Sequence, residues 1–297
     1  MEPAKRIIIN TLAQHIRSVI NICLSLYSTR LVLQALGQSD FGIYSLIAGV
    51  VAMLGFLTNA MVVTTQRQLS FYHGRGNIDE VKKMFSNSLL LHIIVMVIIG
   101  ALLMAIRPIL FHGFLEIEPE RLETASFIYG VVILTLLITF YTAPFRALFV
   151  ARENIVYISI IDVCDGILKV LAALFLSFYA YDRLIAYSWI ILGIMVFNLF
   201  ALVLWARTHF DESMFLPRLS YTNKLYFKQL TGFAGWTIYS TACIVGRNQG
   251  IAVILNKFFG TIVNTSYGIA QQIFVAVMFI SIAVANAISP QLIKAEG

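Results

Sequence analysis

The sequence of 297 residues predicts an all-α, multi-pass integral membrane protein with about eight transmembrane helices and a cytoplasmic N-terminus. Three observations carry that expectation. The chain is 59% hydrophobic and 12% charged with a mean hydropathy of +0.84, whereas soluble domains run at roughly 45 to 50% apolar and about 25% charged. Apolar stretches of about 20 residues recur between short polar breaks, the length a helix needs to cross hydrocarbon, and the alternation of a membrane barrel is not seen. Basic residues also divide unequally between the two sets of connections.

Apolar runs and breakers place the spans near 9–34, 41–64, 86–106, 124–145, 155–179, 184–205, 230–256 and 264–288. The first holds Asn10, Gln14, His15 and Arg17, too polar for the apolar segment of a cleaved signal peptide, so it is read as a retained helix. A turn at Gly37 leads into the second, and a basic break from Arg67 to Lys83 leads into the third. An outer loop, Arg107 to Glu123, carries Glu116, Glu118, Glu120 and Glu123 ahead of the fourth. The longest break, Arg207 to Lys228, contains Pro217 and four basic residues. It divides the chain into a six-helix half over 1–206, a cytoplasmic linker over 207–228, and two helices beginning a second half over 229–297.

With the N-terminus inside, thirteen basic residues fall on the cytoplasmic side: Lys5, Arg6, Arg67, Arg75, Lys82, Lys83, Arg146, Arg152, Arg207, Arg218, Lys224, Lys228 and Lys294. Five fall outside: Arg30, Arg107, Arg121, Arg183 and Lys257. The bias sets the orientation, and it accounts for the net charge of +6 without any nucleic-acid partner. Cys23, Cys164 and Cys243 lie in separate spans, which is no disulfide framework, and small buried core residues are expected there. His15, His73, His92, His112 and His209 are scattered without metal-ligand spacing. Tyr27, Tyr141, Tyr181, Tyr187, Trp205 and Trp236 stand near span ends, where interfacial anchoring is the expected role.

An internal repeat supports the division into halves. Leu36-Gly37 followed by Phe41-Gly42-Ile43 is echoed by Phe259-Gly260 followed by Tyr267-Gly268-Ile269, and each pair precedes an apolar span closing on a small-polar element, Gln66 to Leu69 or Ser289-Pro290-Gln291-Leu292. Repeated halves around a central site are a transporter architecture.

These same residues carry a family resemblance. The stretch Thr29-Arg30-Leu31 through Leu36-Gly37-Gln38-Ser39-Asp40-Phe41-Gly42-Ile43-Tyr44 resembles the first helix, turn and second helix of the polysaccharide and O-antigen flippases, in the multidrug/oligosaccharidyl-lipid/polysaccharide (MOP) exporter superfamily that also holds the MATE transporters. Leu255-Asn256-Lys257-Phe258-Phe259-Gly260 through Tyr267-Gly268-Ile269-Ala270, with Ser289-Pro290, is similar to the opening of that family's second half, and Ala151-Arg152-Glu153-Asn154 also fits. The resemblance implies a MOP/MATE-like helical bundle in a bacterial inner membrane that moves a lipid-linked (polyprenyl diphosphate) oligosaccharide by alternating access. Membrane lipids and a coupling proton or sodium ion are then its other partners, with no cofactor and no metal. Family members have twelve or more spans, so this sequence would lack most of the second half, either as a truncated chain or as a short relative that pairs with a second chain. A MATE-like drug exporter coupled to protons or sodium is the alternative within the superfamily.

Function should reside in the ionisable residues inside spans, since a charge at the bilayer centre costs about 2.5 to 3.5 kcal/mol even on a lenient scale. These are Arg17, Asp162, Asp165, Lys169 and Arg247. Asn10, Gln14, Arg17, Asn21, Ser25 and Ser28 fall within an arc of about 80° on the first helix, a stripe expected to line water, with interhelical hydrogen bonding as the alternative. Thr237, Ser240, Thr241, Arg247 and Asn248 span about 120° on the seventh. Arg17 and Arg247 would contact phosphate, because a guanidinium grips it through paired hydrogen bonds, and by the resemblance cationic cavity residues have this part. Gln14 and Asn21 would contact sugar or water. Asp165 and Lys169, four apart, can pair on one helix face with Asp162, and this cluster would set cavity electrostatics, couple an ion, or hold helices in register. An enzyme is not expected: Asp162, Asp165 and Gly166 superficially match the Asp-Gly opening of lipid phosphoalcohol transferases, but Ile167-Leu168-Lys169-Val170 does not continue that motif.

Overall fold

The computed structural model describes residues 3–111 and 117–296. Among them run seven helices: α1 (Pro3–Ala52), α2 (Gly55–Gly74), α3 (Ile78–Ile109), α4 (Leu122–Ala151), α5 (Ile155–Phe178), α6 (Arg183–His209) and α7 (Lys224–Glu296). Four segments are long and apolar enough to cross a membrane, Ile9–Val51, Ile78–Ile109, Pro119–Ala151 and Arg183–His209. The architecture is therefore the expected all-helical membrane bundle. Glu116, His112, and the side chains of Asn248, Phe259, Gly260, Gly268, Ile269 and Gln291 lie outside the described residues.

Polar residues set the helix boundaries. Asn77 caps α3 by accepting from the backbone N–H groups of Asp79 (3.1 Å) and Glu80 (3.3 Å), and Asp182 caps α6 by accepting from those of Leu184 (3.0 Å) and Ile185 (3.2 Å). α1 contains a kink at Gly37, whose φ of 80° and ψ of 173° leave the helical region. Glycine alone adopts such a conformation without strain. The first predicted span and the start of the second are therefore joined in α1, and the second continues into α2 after a turn at Met53 and Leu54.

Two expectations are corrected at the ends of elements. Residues 230–256 and 264–288 belong to one unbroken helix, α7, with no turn between them. It has no proline before Pro290, and glycine lowers helix propensity without ending a helix that nothing else interrupts. The fourth span does not stop at Phe145, because α4 carries Pro144 within it and runs on to Ala151. Arg146 is thereby moved from the cytoplasmic connection into a helix.

The core lies where α2, α3 and α4 meet. Met84, Phe85, Leu89, Ile128, Phe140, Phe145 and Phe149 are almost wholly buried there, with Phe85 edge-on to Phe145 at 5.4 Å. α1 packs chiefly along α5, and α7 along α2, where the Tyr72 hydroxyl donates to Gln229 at 2.8 Å. Cys23 and Cys243 are exposed and Cys164 is half-buried, so the cysteines are not core residues. They sit on outward helix faces where a small apolar thiol is compatible with lipid.

Connections assigned to one side of the membrane meet in space. At the outer end Arg121 reaches both Asp40 (3.0 Å) and Asp182 (2.7 Å), and Arg183 donates to the carbonyl of Ala35 at 2.9 Å. At the inner end Asn10 donates to the carbonyl of Glu153 at 3.0 Å, and Arg152 grips the fully buried Glu212 with two bonds of 2.6 Å.

Candidate functional site

α1 and α5 lie close because Gly166 has no side chain. A Cβ at that position would stand 2.8 Å from Leu24 Cδ1 and 3.3 Å from Asn21 Oδ1. The polar stripe of α1 faces α5, and it divides. Asn10 and Gln14 are buried at the inner end, while Ser28 donates to the Lys169 carbonyl at 3.3 Å at the other. Between them a cavity of 430 Å³ opens, lined by Asn21, Ser25 and Ser28 of α1, Asp162, Asp165 and Lys169 of α5, and Tyr44 and Tyr187. An adjoining groove of 500 Å³ shares Asn21, Ser25 and Asp162 and adds Arg17. The stripe thus does both things its sequence allowed, bonding helices at its ends and lining space at its middle.

Asp162 is the electrostatic hub. Arg17 Nη1 lies 3.0 Å from its Oδ2, and Arg146 Nη2 reaches Oδ1 at 2.7 Å and Oδ2 at 2.8 Å. Asp165 takes a bond from Asn198 Nδ2 at 2.7 Å and pairs with Lys169 Nζ at 2.6 Å. Three cations thus surround two carboxylates, leaving one positive charge in excess. Side-chain exposures of 19 to 38% across these five keep the cluster in reach of water. Asn21 Oδ1, by contrast, is buried and accepts no hydrogen bond. An amide oxygen in that condition at a cavity wall is poised to accept from a guest.

The structure brings Arg17, Asn21, Asp162, Asp165 and Lys169 together. Gln14 is buried below them and does not contribute to the described lining. Arg247 is exposed on α7 and stands apart from that lining. Thr237 and Thr241 of the same predicted stripe donate to carbonyls of their own helix, Phe233 and Thr237.

Three contributors escaped the sequence reading. Arg146 was counted with the cytoplasmic charges, although Ala147-Leu148-Phe149-Val150 after it show that the apolar run continues past it. Asn198 is a lone amide in an apolar run and carried the same kind of signal. Tyr187 was expected at the interface, yet it lines the cavity with its ring 4.8 Å from that of Tyr44.

The kinked first helix, the packed apolar helices and the charged cavity between α1 and α5 define a multi-pass membrane helical bundle. No protein-family model and no curated protein matches the sequence. Among solved structures, a MOP superfamily transporter from Pyrococcus furiosus, described as having a binding pocket of reverse polarity that suggests a different function, superimposes with a TM-score of 0.79 at 14% identity over 98% of this chain and 64% of that one. A Vibrio cholerae MATE transporter in its bent form gives 0.79 at 13% over 98% and 66%. An outward-facing multidrug resistance MATE transporter gives 0.78 at 14% over 98% and 64%. At such identities the likeness is one of fold, and this chain spans about two thirds of the neighbours' length.

Proposed function

We propose that the protein is a membrane transporter of the flippase kind, moving a lipid-linked oligosaccharide from the cytoplasmic to the outer leaflet of a bacterial inner membrane by alternating access. One observation carries this reading: Lys169 lines the cavity and Arg17 the groove beside it, Arg146 joins them through Asp162, and only Asp162 and Asp165 balance the three cations. A diphosphate headgroup needs cationic donors that stay charged, and a guanidinium has five N–H groups, more than its bond to one carboxylate consumes. Asp162 holds the two arginines in place until phosphate oxygens compete for them. In this reading residues 1–206 form one half, 207–228 the linker and 229–297 the start of another half, whose Arg247 is a second phosphate contact.

A second reading has one observation in its favour. Asp162 and Asp165 share the cavity wall and are about four-fifths buried, which suits ion coupling in a drug exporter. Mutagenesis separates the two. Arg17→Ala and Arg247→Ala should each abolish surface polysaccharide export while leaving the protein in the membrane, with lysine at either position retaining part of it. Normal export by both alanine variants overturns the phosphate contacts. Proton-dependent efflux of a cationic dye, lost with Asp162→Asn, would replace the flippase by the exporter.

A further inference from the structure

A second pocket, of 290 Å³, lies at the inner end of the bundle, away from the α1/α5 cavity. Lys82 reaches it from the start of α3, Arg207 from the last turn of α6, and Arg218 from the connection between α6 and α7. Asp211 is the one acid in its described lining. Ser213, 9% exposed, also lines it, and its hydroxyl is buried with no hydrogen-bond partner.

The walls are fixed. Ser86 Oγ accepts from the Arg218 backbone N–H at 2.9 Å, and Asn87 both donates to the Tyr221 carbonyl at 2.9 Å and accepts from the Asn223 N–H at 3.2 Å. The residue before Ser213 is Glu212, clamped by Arg152. Arg218 Nη1 donates to the Tyr221 hydroxyl at 3.3 Å and its guanidinium lies 5.5 Å from that ring. These bonds fix the backbone on one side of the pocket before any ligand arrives, which lowers the ordering cost of binding.

We propose that this pocket binds the phosphate group of an anionic lipid of the inner leaflet. The lining offers an ammonium, two guanidinium groups and a neutral hydroxyl donor against a single carboxylate, and charge-assisted bonds of this kind suit the non-bridging oxygens of a phosphodiester. The positive-inside bias puts the pocket at the cytoplasmic interface, where basic pockets at helix ends take anionic headgroups. Beside it, Phe215 is 43% exposed and Leu216 is 70% exposed, apolar side chains that suit acyl chains and would not suit a purely aqueous anion. The guanidinium of Arg207 lies over the Phe215 ring at 5.6 Å, so the cationic and apolar parts of the site are continuous.

The test uses the whole chain in phosphatidylcholine bilayers with and without phosphatidylglycerol, read by thermal unfolding and by native mass spectrometry of bound lipid. Phosphatidylglycerol should raise Tm and remain bound to the wild type. The double variant Lys82→Gln with Arg207→Gln should weaken that binding by about tenfold or more, and Ser213→Ala by less, while each unfolds like wild type in phosphatidylcholine alone. Lys224→Gln, an exposed cation outside the pocket, should bind as wild type does. Should the double variant fail to fold, the Ser213→Ala comparison decides. Equal phosphatidylglycerol binding by all variants overturns the site. Stabilisation by inorganic phosphate but not by phosphatidylglycerol overturns the lipid source.

Discussion

Asp162 shows how one residue can organise a charged site within a membrane. Its two oxygens receive three bonds from two arginines on two different helices, α1 and α4. Removing it should therefore do more harm than removing either arginine, because it would leave two cations facing each other without an anion. Uncompensated buried charge costs 3–5 kcal/mol, and partial exposure reduces this to about 1–2 kcal/mol here. Asp162→Ala is expected to lower Tm more than Arg17→Ala or Arg146→Ala, and adding Arg146→Ala to Asp162→Ala should recover part of the loss, as read by thermal unfolding in detergent. Additive losses would show that the three side chains act independently. Arg17, Asp162, Asp165 and Lys169 could be picked out from the sequence because charge is rare inside apolar runs. Arg146 escaped because the fourth span was bounded at residue 145, one position before it, and the pairing of Arg146 with Asp162 is a tertiary fact that helical periodicity does not contain.

Among the elements, the α1/α5 pair is set by what Gly166 lacks. Alanine there can be accommodated by a rotation of Leu24, since the closest atom is the end of a flexible side chain. Leucine cannot, and should separate the helices and fill the cavity at a cost of about 1–3 kcal/mol. Gly166→Leu is thus expected to lower Tm and to abolish the transport proposed above, with Gly166→Ala near wild type in both. At the outer end, burial pushes the Asp40 carboxyl above its ordinary value despite the Arg121 guanidinium pulling it down, while Asp182 and Glu118 add to the upward push. The folded protein then holds this proton to higher pH than the unfolded chain does. The contribution of Asp40 to stability is largest below the ordinary carboxylate value of 3.8 and declines as pH rises through the raised one. Asp40→Asn should remove that decline, so Tm plotted against pH in the mildly acid range should fall less steeply in the variant. Identical slopes would mean the carboxyl titrates normally. The kink beside it was legible, because Gly37 sits in a polar turn, whereas the unbroken α7 was not: the glycines that suggested a second turn impose none by themselves.

On the scale of the whole molecule, charge bias and packing agree about which ends belong together. The outer group of Asp40, Arg121, Asp182 and Arg183 comes from three connections, and the inner group of Asn10, Arg152, Glu153 and Glu212 from two others together with the start of α1. Each group joins segments that the topology assigned to one side, which a wrong number of crossings between them would have prevented. The pairing fixes only relative sidedness. The absolute direction rests on the excess of basic residues at the inner end, a kinetic and electrostatic preference of insertion that the folded structure does not contain. It can be read with single cysteines in a chain whose Cys23, Cys164 and Cys243 are replaced by alanine. Cysteine at the exposed Glu120 should react with a membrane-impermeant maleimide in intact cells, and cysteine at the exposed Asp79 only after the membrane is opened. The reverse pattern would invert the bundle, placing the pocket of Lys82, Arg207 and Arg218 on the outer face and removing the inner-leaflet lipid from its reach. The same reversal would turn the direction proposed for the cargo, since nothing in the α1/α5 cavity distinguishes inward from outward.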